Sequence, residues 1–492
     1  MRSRAVSRKG LNLLIISPAR RFPRDKAALK IPIDSSRRCP LSLLFATGLL
    51  LVFVFAGVAL AAPATSDPPP SGSQIATSPQ AAYTFIGWDQ LGRMLGLSDK
   101  YGLSLGGYII PEFSSIVSGG AEPGSTFLNF ALGLHASLDA EKALNIPGGK
   151  FGIEFLESTG GATNEAAGSV QLYTVMDGPP PRNRQELMQL WWRQSLFDDK
   201  LIFHVGKING PGSFGNVQAP VTFGASRFAE GDITNLLFVP VGLNPTLFGR
   251  LPSYYNTGYG AVVHFAPTEK FYASYGLFDA NGIRGVQTGI ENTPSFNSYK
   301  LHIGEIGYSW LLGDEKLPGR VGVGVWGQTG ELYTPSLTTE NGATGYYIFA
   351  NHRLWYMHPH RDNAGIIGYF QFAQTDANTQ AVKTYVGAGL TSVHMIPGRP
   401  SDQISIGMAW SSLNDMPGAG EFFYPGIESE STDLRDSELM LQTVYFTTFF
   451  FKLGDGFWSL SPALAYTCIP NPGKRPDLPA AHAITLRLVT LF

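Results

Sequence analysis

From Tyr101 onward, short segments alternate apolar and mixed side chains with a period of two, and Gly, Pro and Asp clusters separate them. Phe151, Ile153 and Phe155 alternate with Gly152 and Glu154; Met188, Leu190 and Trp192 alternate with Gln189, Trp191 and Arg193. The same rhythm returns at Leu201, Phe203 and Val205 around Ile202 and His204, and at Val321, Val323 and Val325 before Trp326. It returns again at Ile404, Ile406, Met408 and Trp410 after Gln403, and at Leu439, Leu441 and Tyr445 after Glu438. Successive side chains of a strand point to opposite faces, so each segment predicts a strand with one apolar and one polar face. The last one ends the chain: Ile484, Leu486, Leu488 and Phe492 fall on one face, Thr485 and Arg487 on the other.

A soluble sandwich alternates too, so the period alone leaves the class open. The second faces, however, carry Gly, Gln, Ser, Glu and Arg, as the wall of a water-filled lumen does, and the final strand stops on an aromatic. About 400 residues at about 25 per strand and its connection give on the order of 16 strands, enough to enclose an aqueous channel. The expected fold is therefore all-β, a transmembrane antiparallel barrel of about 16 strands. Its connections should alternate between short turns, such as the one at Phe197, Asp198, Asp199 and Lys200, and long loops. The stretches 160–184, 210–250, 280–298 and 414–435 are the long ones, and one of them is expected to fold inward and narrow the pore. Pro462 removes a ladder donor and is expected at the start of its strand.

Ahead of the barrel, a charge-free apolar run over 40–62 comes after Arg37 and Arg38 and closes on Ala59-Leu60-Ala61. It reads as a secretory signal over 1–61 with a long n-region, cleaved before Ala62; an uncleaved helical anchor is the alternative. A Pro- and Ser-rich spacer over 62–82 comes next, then the barrel domain over 83–492, which opens with a short helix where Leu91, Met94 and Leu95 make one face. Charged residues are only 15% of the chain against about 25% in soluble domains. The net charge of −2 hides an asymmetry: loss of the leader removes eleven basic and two acidic residues and leaves 25 against 36, a net charge of −11. That balance argues against nucleic acid as a partner. Of the two cysteines Cys39 goes with the leader, so neither a disulfide framework nor a Cys-based zinc site is expected.

Particular blocks carry a family likeness. Leu190 to Leu201 reads Leu-Trp-Trp-Arg-Gln-Ser-Leu-Phe-Asp-Asp-Lys-Leu and is succeeded by Val205-Gly206-Lys207-Ile208. Before it stand Ala140-Glu141-Lys142 and Pro147-Gly148-Gly149; after it Gly276-Leu277-Phe278-Asp279, Glu305-Ile306-Gly307-Tyr308, Pro397-Gly398-Arg399 with Asp402, and Pro470-Asn471-Pro472-Gly473. In order and spacing these resemble the carbohydrate-selective porins of the OprB family over nearly all of 88–492. The resemblance implies an outer-membrane barrel of 16 strands that passes sugars passively, usually as a trimer in similar porins. The chain departs from the pattern at Trp192 and Arg193, where Tyr and an acid are more usual, and at Thr490, where an aromatic is common.

A sugar channel needs hydrogen-bonding groups and aromatic faces at its constriction, and no catalytic apparatus. Strand phase assigns Glu154, Gln189, Trp191, Arg193, His204, Trp326, Gln403 and Glu438 to the lumen as candidate substrate contacts. Most of these are equally suited to be plain wall residues or members of structural ion pairs. Arg399 and Asp402, beside a turn, read as structural, and Trp192, Trp410 and Tyr445 as aromatics facing the membrane interface. His352, His358 and His360 fall in one expected loop, but Pro359 and the lack of adjoining carboxylates argue against a metal site. The string Gly102-Leu103-Ser104-Leu105-Gly106 matches a hydrolase elbow in letters only, because an elbow needs a helix after it and Gly107 to Pro111 read as strand. No cofactor is expected. The expected partners are small sugars, outer-membrane lipid, a second and third copy of the chain in a homotrimer, and the barrel-assembly machinery, to which the terminal Phe492 would be the signal. A general or cation-preferring porin is the nearest alternative; a secreted soluble carbohydrate-binding or carbohydrate-degrading β protein is the more distant one.

Overall fold

Every strand that the alternation predicts is present, and the ladders close on themselves. The computed structural model describes residues 90–97, 101–177, 182–218, 233–253, 256–280, 294–359, 361–376, 378–425, 431–453 and 456–492. The leader, the spacer, Trp88 and His360 lie outside them. A short helix α1 (Gln90–Met94) precedes strands β1 (Leu103–Ser118), β2 (Thr126–Asp139), β3 (Gly149–Thr159), β4 (Arg184–Leu196), β5 (Leu201–Ile208), β6 (Gly258–Phe265), β7 (Phe271–Asp279) and β8 (Lys300–Leu312). Then come β9 (Leu317–Tyr333), β10 (Thr339–Tyr356), β11 (Gly365–Thr375), β12 (Val382–Val393), β13 (Gln403–Leu413), β14 (Ser437–Phe446), β15 (Phe449–Leu453), β16 (Gly456–Ile469) and β17 (Ala481–Leu491). Staves adjacent in sequence pair antiparallel, and β1 pairs with both β2 and β17.

The barrel has 16 staves, because β14 and β15 are two halves of one stave that lie end to end along β16. The interruption explains Pro462, which sits inside β16 and not at its start as expected. Its missing donor faces the break: Thr447 N–H donates to the Pro462 carbonyl at 3.2 Å, and the Thr448 hydroxyl meets Ser461 Oγ at 2.9 Å. A proline is tolerated where the partner strand has already given up its ladder bonds.

The outward face is apolar and exposed at Phe113, Phe151, Ile153, Phe155, Phe203, Val205, Val323, Val325, Ile406, Ile484 and Leu486. The inward face is almost wholly buried, and glycine supplies much of the room there. A Cβ on Gly152 would lie 2.1 Å from the Trp191 ring, one on Gly133 2.1 Å from Tyr108, and one on Gly324 2.1 Å from Tyr347. Gly322 receives Phe349, Gly307 receives Tyr272 and Gly345 receives Trp326 in the same way. Glycines that the sequence offered as lumen-like polar positions are therefore beds on which aromatic rings of the neighbouring strand lie flat.

Two expected facings are corrected. Met188 faces inward and is fully buried, because the β3–β4 ladder passes from Glu154 opposite Gln189 to Phe155 opposite Leu187. Met188 is the extra residue of a β-bulge, and the bulge reverses the phase on one side of it. Tyr445 keeps its outward phase but is covered by the β12–β13 turn, where its hydroxyl donates to Asp402 at 2.6 Å and accepts from Arg399 at 2.7 Å. Arg399 and Asp402 themselves pair at 2.7 Å, a structural clasp across that turn.

Candidate channel and its constriction

All the long connections emerge at one end of the barrel, and two of them turn back into the bore. The β3–β4 loop carries α2 (Thr163–Ala167), and the β5–β6 loop carries short 3-10 turns at Gly210–Gly212, Val239–Val241 and Pro245–Leu247. The second runs Ile233-Thr-Asn-Leu-Leu-Phe-Val-Pro-Val-Gly-Leu, too apolar to lie in water, and its Leu236, Leu237, Phe238 and Val241 pack into one cluster with the wall rings. A backbone taken out of water needs partners. The wall supplies them. Gln442 accepts from Leu237 N–H at 2.5 Å and from Phe238 N–H at 3.2 Å, Ser405 accepts from Asn235 N–H at 3.3 Å, and Glu305 accepts from Gly215 N–H at 2.7 Å. The two loops also meet each other, Val239 N–H donating to the Leu172 carbonyl at 3.0 Å.

Glu438 is the strongest of these anchors. Its Oε1 accepts from Gln171 N–H at 2.8 Å and from the Ser169 hydroxyl at 3.1 Å; its Oε2 accepts from Val170 N–H at 2.9 Å and from Gly473 N–H at 2.7 Å. On the opposite side of the loop, Glu112 of β1 accepts from Thr174 Oγ1 at 2.7 Å and pairs with Arg487 of β17 at 2.5 Å. A buried ion pair is a poor source of stability by itself, but here both charges also hold a loop hydroxyl, since Arg487 donates to Thr174 Oγ1 at 3.0 Å.

Of the eight candidate contacts, the structure brings five together on the β3–β5 wall. Gln189 Nε2 donates to Glu154 Oε2 at 2.5 Å, and Tyr108 donates to Glu154 Oε1 at 3.2 Å. Trp191 meets His204 edge to face with ring centroids 5.0 Å apart, and Arg193 lies 3.6 Å from Asp199 of the β4–β5 turn. Trp326 stands apart on β9, bedded on Gly345. Gln403 and Glu438 lie across the bore on β13 and β14; Gln403 accepts from the Asn235 amide and Glu438 is fully covered, so both hold loops. The three histidines do not share a loop: His352 is within β10 with Nδ1 3.1 Å from the Pro318 carbonyl, and His358 sits in the following turn beside Asp362.

Sequence reasoning missed the outer vestibule. Between the inward loops, the end of β9 and the connections β11–β12, β13–β14 and β16–β17 lies a cavity of about 930 Å³. Its lining includes Glu165, Asp177, Arg250, Gln380 and Lys474 with the aromatic run Phe422-Phe423-Tyr424. Burial and the neighbouring Glu165 carboxylate push Asp177 up to about 7, although Asn164 N–H and Arg182 both bond it. Burial lowers Lys474, against the pull of Glu165 and Asp177, and its ammonium rests 4.6 Å from the centre of the Tyr424 ring. The residues come from five separate connections, and no local spacing in the sequence joins them.

The model of the carbohydrate-selective porin, OprB family, matches residues 130–448, well over half of the chain. The chain belongs to that family. Pseudomonas putida OprB at high pH is similar in fold, with a TM-score of 0.65 at 19% identity over 82% of this chain and 97% of that one. The low-pH form of the same protein aligns at 14% identity over 83% and 98%, with a TM-score of 0.49. The outer membrane channel DcaP of Acinetobacter baumannii aligns at 9% identity over 79% and 97%, with a TM-score of 0.44. No curated protein matches the chain. Family and barrel together make it an outer-membrane carbohydrate-selective porin.

Proposed function

We propose that this OprB-family porin passes sugars by passive diffusion, and that two inward loops set the width and chemistry of the path. The observation that carries the reading is the docking of the β3–β4 and β5–β6 loops on wall carboxylates and amides inside a closed barrel. A bore narrowed by fixed loops selects by size and by hydrogen bonding, and weak contacts let the sugar leave. Arg193, with a quarter of its side chain exposed, is the wall group suited to it, a fork of donors for hydroxyls, and Trp191, covered between Gly152 and His204, shapes the wall beside it. The mature chain starts at Ala62 on this reading, after the 1–61 leader is cleaved, and the barrel assembles as a homotrimer.

Liposome swelling with the purified protein tests it. Hexoses should enter faster than uncharged amino acids of comparable size, and sugar should reduce the ion current in planar bilayers. Equal rates for both solutes with no sugar block would instead identify a general porin, whose cation preference the acidic vestibule residues Glu165, Asp177 and Glu331 would supply.

A further inference from the structure

We infer that the β3–β4 loop is the clasp of the barrel's closing seam, so that closure of the wall and narrowing of the pore are one coupled step. The seam is where β1 meets β17, and its ladder is incomplete. Gly107 and Phe492 exchange both of their backbone bonds, at 2.8 and 3.0 Å. By the alternation of an antiparallel pair, every second residue of β1 from there on turns its N–H toward β17. Pro111 is one of these, and it has no N–H to give. The register passes from Ile109 opposite Thr490 to Glu112 opposite Arg487 with no pairing at Ile110 or Pro111, and it sets Pro111 against Leu488. The Leu488 carbonyl thereby loses its ladder donor. Its other neighbours are weakened at the same level: Pro462 of β16 lies beside Leu488 on the far side, and the break at Thr447 and Thr448 lies beside Pro462.

What the backbone lacks here, side chains supply from inside. The next two inward pairs across the seam are Glu112 with Arg487 and Ser114 with Thr485, directly opposite and buried. Arg487 Nε donates to Glu112 Oε2 at 2.7 Å, and Ser114 Oγ meets Thr485 Oγ1 at 3.0 Å. Two consecutive loop residues complete both pairs. Thr174 Oγ1 donates to Glu112 Oε1 at 2.7 Å and accepts from Arg487 Nη2 at 3.0 Å, so one atom touches both sides of the seam. The Tyr173 hydroxyl reaches Ser114 Oγ at 2.8 Å. Its carbonyl accepts at 3.3 Å from the Gln442 amide of β14, which also donates to Thr467 of β16 at 2.8 Å. With Glu438 holding Val170 and Gln171, the run 169–174 is fastened to β14 at one end and to β1 and β17 at the other. It lies as a splint across the four staves whose ladders are interrupted.

The coupling follows from where the Thr174 partners come from. One belongs to β1 and one to β17, and they meet only in the closed barrel, so the loop has no such seat before closure. Closure without the loop leaves a buried ion pair short of hydrogen bonds, which is costly.

Amide hydrogen exchange on the folded protein in detergent micelles is the test. Tyr173→Phe/Thr174→Val removes both hydroxyls with little change of shape. The amides of Ile109, Phe113, Leu486 and Thr490, which cross the seam, should then exchange about tenfold faster, the effect of losing two hydrogen bonds of ordinary net strength. Those of β8 and β9, on the opposite wall, should keep their rates. Pro111→Ala supplies the missing donor: alone it should slow seam exchange, and added to the loop variant it should bring the rate back toward that of the unaltered protein. Unchanged seam exchange in the loop variant overturns the inference, and so does acceleration spread equally over β8 and β9. If the loop variant gives no heat-modifiable barrel, Pro111→Ala alone decides, and seam exchange that it fails to slow overturns the inference.

Discussion

Removing the Glu438 carboxylate should undock the β3–β4 loop and widen the channel. In Glu438→Ala, Val170, Gln171 and Gly473 keep their N–H groups in a site that water does not reach, and Ser169 loses its acceptor. A buried donor left unpaired costs about 1–3 kcal/mol, so three put about 3–9 kcal/mol against the docked loop. Even the lower figure reduces the ratio of docked to released loop about 100-fold. The remaining anchors, among them Gln171 to Ser411 at 2.8 Å, Tyr173 to Ser114 at 2.8 Å and Thr174 to Glu112, still hold the rest of the loop, so the release is centred on residues 169–171. Glu438→Gln should be milder. Its amide nitrogen can take the Oε1 place, where the Ser169 hydroxyl turns to accept and Gln171 N–H alone is orphaned, a loss of about 1–3 kcal/mol. Single-channel conductance should rise and become noisier in the order wild type, Gln, Ala, with sugar block weakening in the same order. Amide hydrogen exchange at Val170 and Gln171 should accelerate in parallel. Heat-modifiable migration confirms an intact barrel; wild-type conductance and exchange in such a Glu438→Ala barrel would refute the anchoring argument.

Arg193→Ala should weaken sugar block and shift ion preference further toward cations, whereas Trp191→Ala should weaken block and leave ion preference nearly unchanged; reversal potentials and block curves for both decide whether this wall lies at the selectivity site. Deleting Phe492 should sharply lower outer-membrane levels without impairing secretion, since its backbone closes on Gly107 in both directions, at 2.8 and 3.0 Å, where β17 meets β1; normal levels of the truncated chain would count against it. Asp177, raised from 3.8 to about 7, should take up a proton as pH falls through that value, so cation preference should drop between pH 8 and pH 6 and Asp177→Asn should abolish the step. For stability, a carboxyl raised in the folded state favours the docked loop below about 4, and that contribution is lost as pH rises through about 7, which exchange rates in the loop can track.

The staves were legible because each obeys one rule, apolar out and mixed in, over enough residues for the period to show. The position of Met188 was not, because a bulge adds a residue without altering composition, and the run Met188-Gln189-Leu190 still looks regular. Pro462 misled for a related reason: the break that tolerates it is on another strand, at Thr447 and Thr448, and a single strand does not reveal its partner's interruption. Strand phase put Glu438 and Gln403 on the inner face correctly, but phase does not say whether the inner face meets water or a folded-in loop. Long loops were visible as lengths. Which of them turn inward depends on acceptors such as Glu438, more than 260 residues away in the chain from Val170, and no local pattern encodes that meeting.

The aromatic rings bedded on glycine solve a problem that alternation leaves open. A slip of one residue between strands turns every side chain to the wrong face and is heavily penalised, but a slip of two restores the facing and passes unnoticed by any in-or-out pattern. Along β9 and β10 the inward pairs run Trp326 with Gly345, Gly324 with Tyr347 and Gly322 with Phe349, large always against small and exchanging sides after the first pair. Moving one strand by two residues in one direction drives Trp326 into Tyr347; moving it in the other sets Gly324 against Gly345 and leaves a hole. The sizes of the side chains thus work as a checksum on the pairing, rejecting the one class of error that polarity cannot detect while the strands are being added to the sheet.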